Sequence, residues 1–362
     1  MMIGLQQATE AYFLEASNLS TTPLGEGHIH DTFLVRDDSG ASTRKLVLQR
    51  INQSVFPDPR RLVRTSARIT NHLRGKALAS GRDPGRCVLR LIPNRDGKLS
   101  FEDSVDGVWR AFSMIEGAAP VACPEHPAQA RAIGFAFGRF LRDLSDLPPN
   151  EIEVALPHLH DTEHHLRTLD DVVRRDPMRR LAGATDELAS IDAHREAGRV
   201  WQANLPLRLI HADTKIDNVL LDATTGEGVC VIDLDTVMSA PAVLDIGNFL
   251  RSVLRRSRAL SDGSLEPGIA FFEAGLRGYR SGVGDLLNES EWDAALDAVA
   301  ETALLLAIRF LADFLTGDPY FRVATPGDNL RRCREQLAVA HWCGRHEIEL
   351  RNRLGRAVLE RG

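Results

Sequence analysis

The segment LIHADTKIDNVLL, running from Leu209 to Leu221, carries His211, Asp213, Lys215 and Asn218. It is a His-x-Asp motif with Asn five positions after the Asp. An apolar run, Val229-Cys230-Val231-Ile232, comes next and ends in Asp233-Leu234-Asp235. That order of groups suits phosphoryl transfer to a hydroxyl. A carboxylate must accept the hydroxyl proton, and an amide and a second carboxylate must hold magnesium on the phosphates of ATP. Asp213 and Asn218 share one short loop, so both can face one cleft, and a buried strand through Val231 delivers Asp233 to the same place. Magnesium takes few protein oxygens and keeps several waters, so Asn218 and Asp233 suffice as ligands. A lone His-x-Asp means little, and Asp and Asn in loops are usually turn residues. Here the motif, the Asn spacing, the intervening strand and the Asp-x-Asp coincide, which points to catalysis with Asp213 as base. His211 is expected to orient the loop through hydrogen bonds.

The elements that must position this segment divide the chain in two. Leu5 to Ala16 has the pattern of a short amphipathic helix. Strand-like runs come next at Asp31 to Arg36 and Lys45 to Ile51, separated by Asp37-Asp38-Ser39-Gly40, which has turn chemistry. Pro57 and Pro59 break the chain, and Leu62, Val63, Ile69 and Leu73 give Arg60 to Leu73 a helical apolar face. Further strands are read at Cys87 to Ile92 and Val108 to Ile115, and Glu116 to Pro120 is read as a hinge. Beyond it helical patterns dominate, at Ala128 to Leu147 and about 160–175, 186–203, 241–256, 267–281, 290–315 and 328–356. β-like runs interrupt them at Leu207 to Ile210, Val219 to Leu221 and Val229 to Leu234. The expected fold class is α+β, with a β-rich domain over residues 1–116, a helical one over 117–362 and a cleft between them.

Composition narrows the partners. The formal net charge is -6, and the densest basic stretch, Arg60, Arg61, Arg64 and Arg68, has helical spacing. It reads as a solvated helix face rather than a nucleic-acid patch. The five cysteines are scattered with no Cys-x-x-Cys pair, which argues against a disulfide framework or zinc site and fits a reducing compartment. No apolar run reaches the roughly 18 residues a membrane span needs, and no leader pattern opens the chain. The expected location is the cytoplasm. The expected state is a monomer whose partners are a nucleotide and a small molecule, with neither nucleic acid nor membrane.

His211 to Asn218 and Asp233 to Asp235 resemble the two signature motifs of the aminoglycoside phosphotransferase and choline kinase superfamily. That resemblance implies a bilobal, protein-kinase-like fold. Asp245-Ile246-Gly247-Asn248 is similar to the family's next element, whose Asp braces the catalytic loop. Lys215 matches a position where kinases place a cation near the transferring phosphoryl group. A closer resemblance is to the N-acetylhexosamine 1-kinases, through Gly27 to Phe33, Leu48 to Phe56, Trp109 to Phe112, Arg309 to Leu315 and Gly317 to Phe321. It implies phosphorylation of the anomeric hydroxyl of an N-acetylhexosamine, and it places His30 and Asp235 at the substrate.

Several positions depart from the kinase pattern. Gly25 and Gly27 begin a glycine-rich phosphate loop, but His30 takes the third glycine place, and a plain hairpin turn reads nearly as well. The lysine expected within the third strand is missing. Gln49 aligns with it and Arg50 is adjacent, and alternation lets only one of the two point into the cleft. The helix over 60–73 has no acidic residue, so no Lys–Glu pair can form there. Nucleotide anchoring therefore differs in detail, with Ile115 and Glu116 at the hinge as further contacts. Arg309, Asp313 and Tyr320 lie in an otherwise apolar helical region. They read either as a surface Arg309–Asp313 pair or as a sugar-binding wall with Trp342 as its aromatic face. His160 and His164, in a cluster with His158 and His165, have zinc spacing but no third ligand; a polar helix start is the simpler reading. Three functions stay open: an N-acetylhexosamine kinase, a kinase of another small alcohol (amino alcohol, homoserine or aminoglycoside), and a pseudokinase, which the missing lysine keeps in play.

Overall fold

The computed structural model describes residues 2–13, 19–25, 29–40, 43–195, 204–256 and 266–359. The chain forms two compact units, one of Met1–Glu116 with Asn150–Ala155, the other of Gly117–Pro149 with Leu156–Gly362. The class is α+β, as the sequence implied, with the sheet-rich part first and the helical part second.

In the first unit, helix α1 (Met2–Tyr12) precedes strands β1 (Leu19–Pro23), β2 (Asp31–Asp37) and β3 (Arg44–Arg50). Helices α2 (Pro59–Ala79) and α3 (Pro84–Cys87) come next, then strands β4 (Leu91–Ile92), β5 (Phe101–Glu102) and β6 (Val108–Ser113). Among the described residues the strands form one antiparallel sheet in the order β1-β2-β3-β6-β4, with β5 also paired to β6. Alternation sets its two faces. Phe33, Val35, Leu46, Leu48, Trp109 and Ala111 pack with Ala8 and Tyr12 of α1. Gln49 and Arg110, cross-strand partners, take the opposite face, where Arg110 reaches Ser66 of α2 at 3.1 Å. Helix α2 starts where Asp58 accepts the Arg61 N–H at 2.9 Å and Pro59 fills the first turn. It buries Leu62, Val63, Ile69 and Leu73, the face its apolar spacing marks.

The strand read over Cys87 to Ile92 shrinks to Leu91–Ile92. Asp83 accepts the Gly85 N–H at 2.8 Å and Pro84 then opens a helical turn, which takes Cys87 out of extended geometry. Strand β1 has no counterpart among the expected strands, because LSTTP is an exposed polar edge strand without apolar alternation. The expected end of the first helix at Ala16, and the part of the expected helix 186–203 beyond residue 195, lie outside the described residues.

The second unit opens with β7 (Ala118–Pro120) and helices α4 (Pro127–Leu144), α5 (Thr162–Arg175) and α6 (Thr185–Ala193). Strands β8 (Leu207–Ile210), β9 (Val219–Asp222), β10 (Gly228–Val231) and β11 (Met238–Pro241) come after them. Helices α7 (Val243–Arg256), α8 (Glu266–Val283), α9 (Glu289–Asp293), α10 (Ala295–Thr316), α11 (Asp328–Arg345) and α12 (Glu347–Leu359) complete it. Strands β10-β9-β7 make one small sheet and β11-β8 a ribbon. The expected hinge thus includes a strand, β7, paired antiparallel with β9. The helices read as 290–315 and 328–356 are each divided. A capping box of Asn288 and Glu291 builds the separate short helix α9, and His346 (φ -114°, ψ 17°) separates α11 from α12.

Helices α4 and α8 meet through glycine. A Cβ on Gly138 would fall inside contact distance of the Tyr279 carbonyl oxygen and 2.8 Å from the Val283 nitrogen. This approach fixes α4, whose Phe137 and Phe140 rings lie edge-on to His211, with centroids at 5.8 and 5.4 Å. Among the described residues no helix is long and apolar enough to cross a membrane.

Candidate active site

The loop between β8 and β9 is set by the helix beyond β11. Ile210 pairs with Met238 across the ribbon, and α7 starts directly after the ribbon's second strand. This brings Asp245, in the first turn of α7, to the loop backbone. Its Oδ2 accepts the His211 N–H and its Oδ1 the Ala212 N–H, both at 2.8 Å. Its carbonyl accepts the Thr214 hydroxyl at 2.6 Å. Burial pushes the Asp245 carboxyl up to about 6, against the pull of the two backbone N–H donors. Ala212 sits in the left-handed region at φ 66°, a strained place for a residue with a Cβ. It is held there from both sides, because His160 Nε2 also donates to its carbonyl at 2.7 Å.

His211 ties the two motifs together. It is fully buried. Its Nδ1 accepts the Asp213 N–H at 3.2 Å, so Nε2 carries the proton and donates to the Ile232 carbonyl at 2.9 Å, one residue before Asp233. Both ring nitrogens are committed, and the side chain positions the loop rather than touching a substrate. The Ile232 N–H returns to the Asn218 carbonyl at 2.9 Å. Asp233 has φ 63° and ψ 60°, a turn that swings its carboxylate out of the strand direction.

These bonds gather four polar heads. Lys215 Nζ lies 3.0 Å from Asp213 Oδ2 and 3.6 Å from Asp233 Oδ2. Asn218 Nδ2 donates to the Asp213 carbonyl at 2.7 Å and to its Oδ2 at 3.2 Å. The side chains of Asp213 and Lys215 are each 31% exposed and that of Asp233 40%, so all three reach solvent. Burial alone would raise the Asp213 pKa, but the charge of the Lys215 ammonium and its hydrogen bond outweigh this and hold the carboxyl below its ordinary value. Burial works against the Lys215 ammonium, yet the Asp213 and Asp233 carboxylates raise its pKa. With its nitrogen used on Asp213, Asn218 has Oδ1 left to offer a cation. Together with the Asp233 carboxylate this is an all-oxygen donor set of the kind magnesium takes.

The residues read as a substrate wall behave differently from one another. The Arg309 guanidinium lies over the rings of Tyr320 and Phe321, 5.5 and 5.4 Å from their centroids. Among the described residues no ion pair joins it to Asp313, so the surface pair is not the arrangement formed. Asp313 is buried and accepts the Tyr320 and Phe321 N–H groups, each at 2.9 Å, and Asn329 Nδ2 at 2.8 Å. Its carboxylate therefore shapes the turn after α10. Trp342 is fully buried, edge-on to His346 at 4.8 Å, and offers no open face to a sugar; the aromatic surface at Arg309 comes from Tyr320 and Phe321 instead. Asp235 is buried within the turn Leu234–Thr236.

The histidine cluster is a helix start, with Asp161 accepting the His164 N–H at 2.8 Å. Among the described residues no group of three or more His, Cys, Asp or Glu is arranged to hold a metal. Burial lowers the His160 pKa to about 4; its bond to the Ala212 carbonyl opposes this and the nearby Arg309 charge adds to it. His160 is thus a neutral N–H donor. Its part in the loop was missed in the sequence, as were those of Thr214 and Ser252, whose hydroxyl accepts the Ile216 N–H at 3.1 Å. The spacing of His160 and Ser252 carries no signal, since they come from other parts of the chain, and Thr214, within the loop, belongs to no motif.

In the first unit, Gly25 has φ 73°, and Gly27 lies outside the described residues. Gln49 shares the α2 face with Arg110, whereas the Arg50 charge acts on Asp103 on the other side. His30 is buried, accepts the Asn52 N–H at 3.0 Å and stacks on Phe56 at 5.1 Å. Ile115 is buried, and Glu116 pairs with Lys45 at 2.9 Å.

Residues 20–284 match the sequence model of the APH phosphotransferase enzyme family, and the chain belongs to that family. The class is therefore a phosphotransferase. An aminoglycoside phosphotransferase from Alicyclobacillus acidocaldarius has the same fold at a TM-score of 0.63, with 15% identity over 97% of this chain and 96% of that one. A microcompartment-associated aminopropanol kinase matches at 0.59, with 17% identity over 97% and 98%. Spectinomycin phosphotransferase, solved in complex with ADP and spectinomycin, matches at 0.55, with 11% identity over 95% and 98%. At these identities the likeness is one of fold.

Proposed function

We propose that the chain is a small-molecule kinase using magnesium and ATP, and that its acceptor is the anomeric hydroxyl of an N-acetylhexosamine. The observation that carries the kinase reading is Lys215 Nζ, within 3.0 and 3.6 Å of two carboxylates drawn from separate motifs. Asp213 accepts the hydrogen bond of the acceptor hydroxyl. As that oxygen bonds to the γ-phosphorus, the bond to the bridging oxygen breaks, ADP departs and the proton passes to Asp213. A carboxylate held below its usual range is ionised at neutral pH, and it suffices as base because the transition state is loose and the proton moves late. Asn218 and Asp233 hold magnesium, which when bound neutralises charge on the phosphates. Lys215 offsets negative charge on the transferring group.

The acceptor reading rests on Arg309. A guanidinium backed by two rings can donate to several hydroxyls and an acetamide carbonyl at once. The same charge repels an amino alcohol, and among the described residues no carboxylate forms an ion pair with Arg309. A nucleotide-consumption assay across N-acetylhexosamines, amino alcohols, homoserine and aminoglycosides tests this. Turnover only with amines would reject the sugar, and nucleotide binding without turnover on any acceptor would favour a pseudokinase. Arg309→Ala should raise the KM for sugar about tenfold, the worth of one hydrogen bond to a charged donor, and leave the KM for ATP unchanged. An unchanged sugar KM would remove Arg309 from the acceptor site.

A further inference from the structure

We propose that His160 is a positioning residue for the transfer step: it fixes the peptide plane that leads into Asp213, and so sets that base against the α10 wall carrying Arg309. The proposal rests on the reading of the chain as a kinase with Asp213 as base.

His160 does not belong to the loop it grips; it lies in the turn before α5. A carbonyl can only accept, so the 2.7 Å contact with Ala212 puts the ring proton on Nε2. The other nitrogen, Nδ1, is buried and has no hydrogen-bond partner among the described residues. A buried polar atom left unpaired costs stability, and an apolar side chain of similar size would avoid that cost. What the imidazole supplies in return is one donor, aimed at the Ala212 carbonyl.

That bond falls at a decisive place. Ala212 has φ 66°, and its N–H is taken by Asp245 Oδ1 at 2.8 Å. The N–H belongs to the peptide plane shared with His211, and the carbonyl to the plane shared with Asp213. Asp245 therefore holds the first plane and His160 the second, from two elements outside the loop. Only the second attaches directly to the Cα that bears the base.

Packing carries the same turn to α10. The Asp161 N–H and His165 Nε2 both donate to the His158 carbonyl, at 3.1 and 2.8 Å, which ties the turn to the start of α5. Leu169 and Val172 of α5 share a buried cluster with Leu304, Ile308 and Leu311 of α10, and Arg309 directly follows Ile308. The charges of Arg309, Asp213 and Arg251 all act on the His160 ring, so the ring lies within reach of both the wall and the base.

The test is steady-state kinetics on the full chain, with melting followed in parallel. The substrates are ATP and whichever acceptor turns over fastest among N-acetylhexosamines, amino alcohols, homoserine and aminoglycosides. Glutamine carries its amide nitrogen where the imidazole carries Nε2, whereas asparagine's stops where it carries Nδ1. His160→Gln should therefore keep kcat near the parent value. His160→Asn and His160→Leu should lower kcat about tenfold or more, with the KM values for ATP and acceptor unchanged. Gln and Asn are both neutral amides, so their comparison stands even where His160→Leu folds poorly. Adding Asp245→Asn to His160→Asn should cost less than the product of the two single losses, because both grips act on Ala212. Parent-like kcat in His160→Asn, even with lowered melting, would mark a structural latch and overturn the proposal. So would equal losses in His160→Gln and His160→Asn, a loss spread over kcat and both KM values, or losses that multiply in the double variant. A parent chain that turns over none of these acceptors removes the kinase reading first and this proposal with it.

Discussion

Replacing Asp245 by Asn is the sharpest probe of how the His211-to-Asn218 loop is held. The carboxylate is 1% exposed and accepts two backbone N–H groups, one on each oxygen, at 2.8 Å. An amide has one acceptor oxygen, so its NH2 must face either the His211 or the Ala212 N–H. A buried donor left without an acceptor costs about 1–3 kcal/mol. Ala212, held at φ 66° by these bonds, can then relax, which releases strain on the order of 1–3 kcal/mol. The loop moves and carries Asp213 with it. We expect kcat to fall about 10- to 100-fold, taking the lower part of that range as the differential cost. Nucleotide affinity should fall far less, because the Asn218 carbonyl keeps its bond from the Ile232 N–H. The assay is steady-state kinetics below the melting temperature of the variant, with melting followed in parallel. Wild-type kcat in Asp245→Asn would refute the reasoning.

The same carboxyl gives a pH test. Burial raises its pKa to about 6, so the folded chain takes up this proton where an ordinary Asp is still ionised. Its contribution to stability is fully present below the ordinary carboxylate value and lost as pH rises through about 6. Activity runs the other way. Protonation replaces one acceptor by a hydroxyl, so kcat should decline as pH falls through about 6, and the residual rate of Asp245→Asn should lack that limb.

Other substitutions separate the remaining roles. Asp213→Asn should cost about 10²–10⁴-fold in kcat, the usual worth of a general base, with nucleotide binding retained; near-normal turnover would remove Asp213 from the chemistry. Asp233→Ala should raise the magnesium needed for half-maximal rate more than Asn218→Ala, since it removes a charge rather than a dipole, and overlapping magnesium titrations would reject both as ligands. Gly138→Ala should destabilise by about 1–3 kcal/mol, because its Cβ meets the backbone of α8, which cannot yield as a side chain can. Gly75→Ala, in α2 with open space around it, should instead stabilise by about 0.5–1 kcal/mol; equal melting shifts for the two would refute the packing argument.

That the side chains of His211 to Asn218 lie together could be read from the sequence, because the chemistry proposed for them needs fixed side-chain types at short spacing and the intervening chain is too short to separate them. The Asp-x-Asp was legible for a different reason: an apolar strand, β10, has to carry it back beside the loop. Arg50 and Gln49 could not be ranked from sequence, because alternation fixes only that they diverge. The register to Trp109 and Arg110 decides which of them meets α2. The polar, exposed β1 shows no alternation, and the four residues of β11 are too few for a period to be read. For Asp313 the sequence leaves a surface pair and a sugar wall open, and for Trp342 a sugar face; neither side chain takes those places, because a turn after α10 uses the Asp313 carboxylate and the core encloses Trp342.

Exposure separates the residues that hold the loop from the three heads proposed to act on it. His211, Thr214, Asp245 and Ser252 are at most 1% exposed, and the hydrogen bonds that fix the backbone run through them, while Asn218, 3% exposed, both bonds the Asp213 carbonyl and is proposed to hold magnesium. Asp213, Lys215 and Asp233 are 31–40% exposed. An ion pair open to water contributes at most about 1 kcal/mol, so the Asp213–Lys215 contact cannot fix the loop geometry; the buried network must. Two kinds of variant should therefore behave differently. Removing an exposed head should change rate with little change in melting, while removing a buried one should change both. If Asp213→Asn lowered the melting temperature as far as Asp245→Asn, the exposed pair would be holding the loop after all, and the order of cause argued from burial would be reversed.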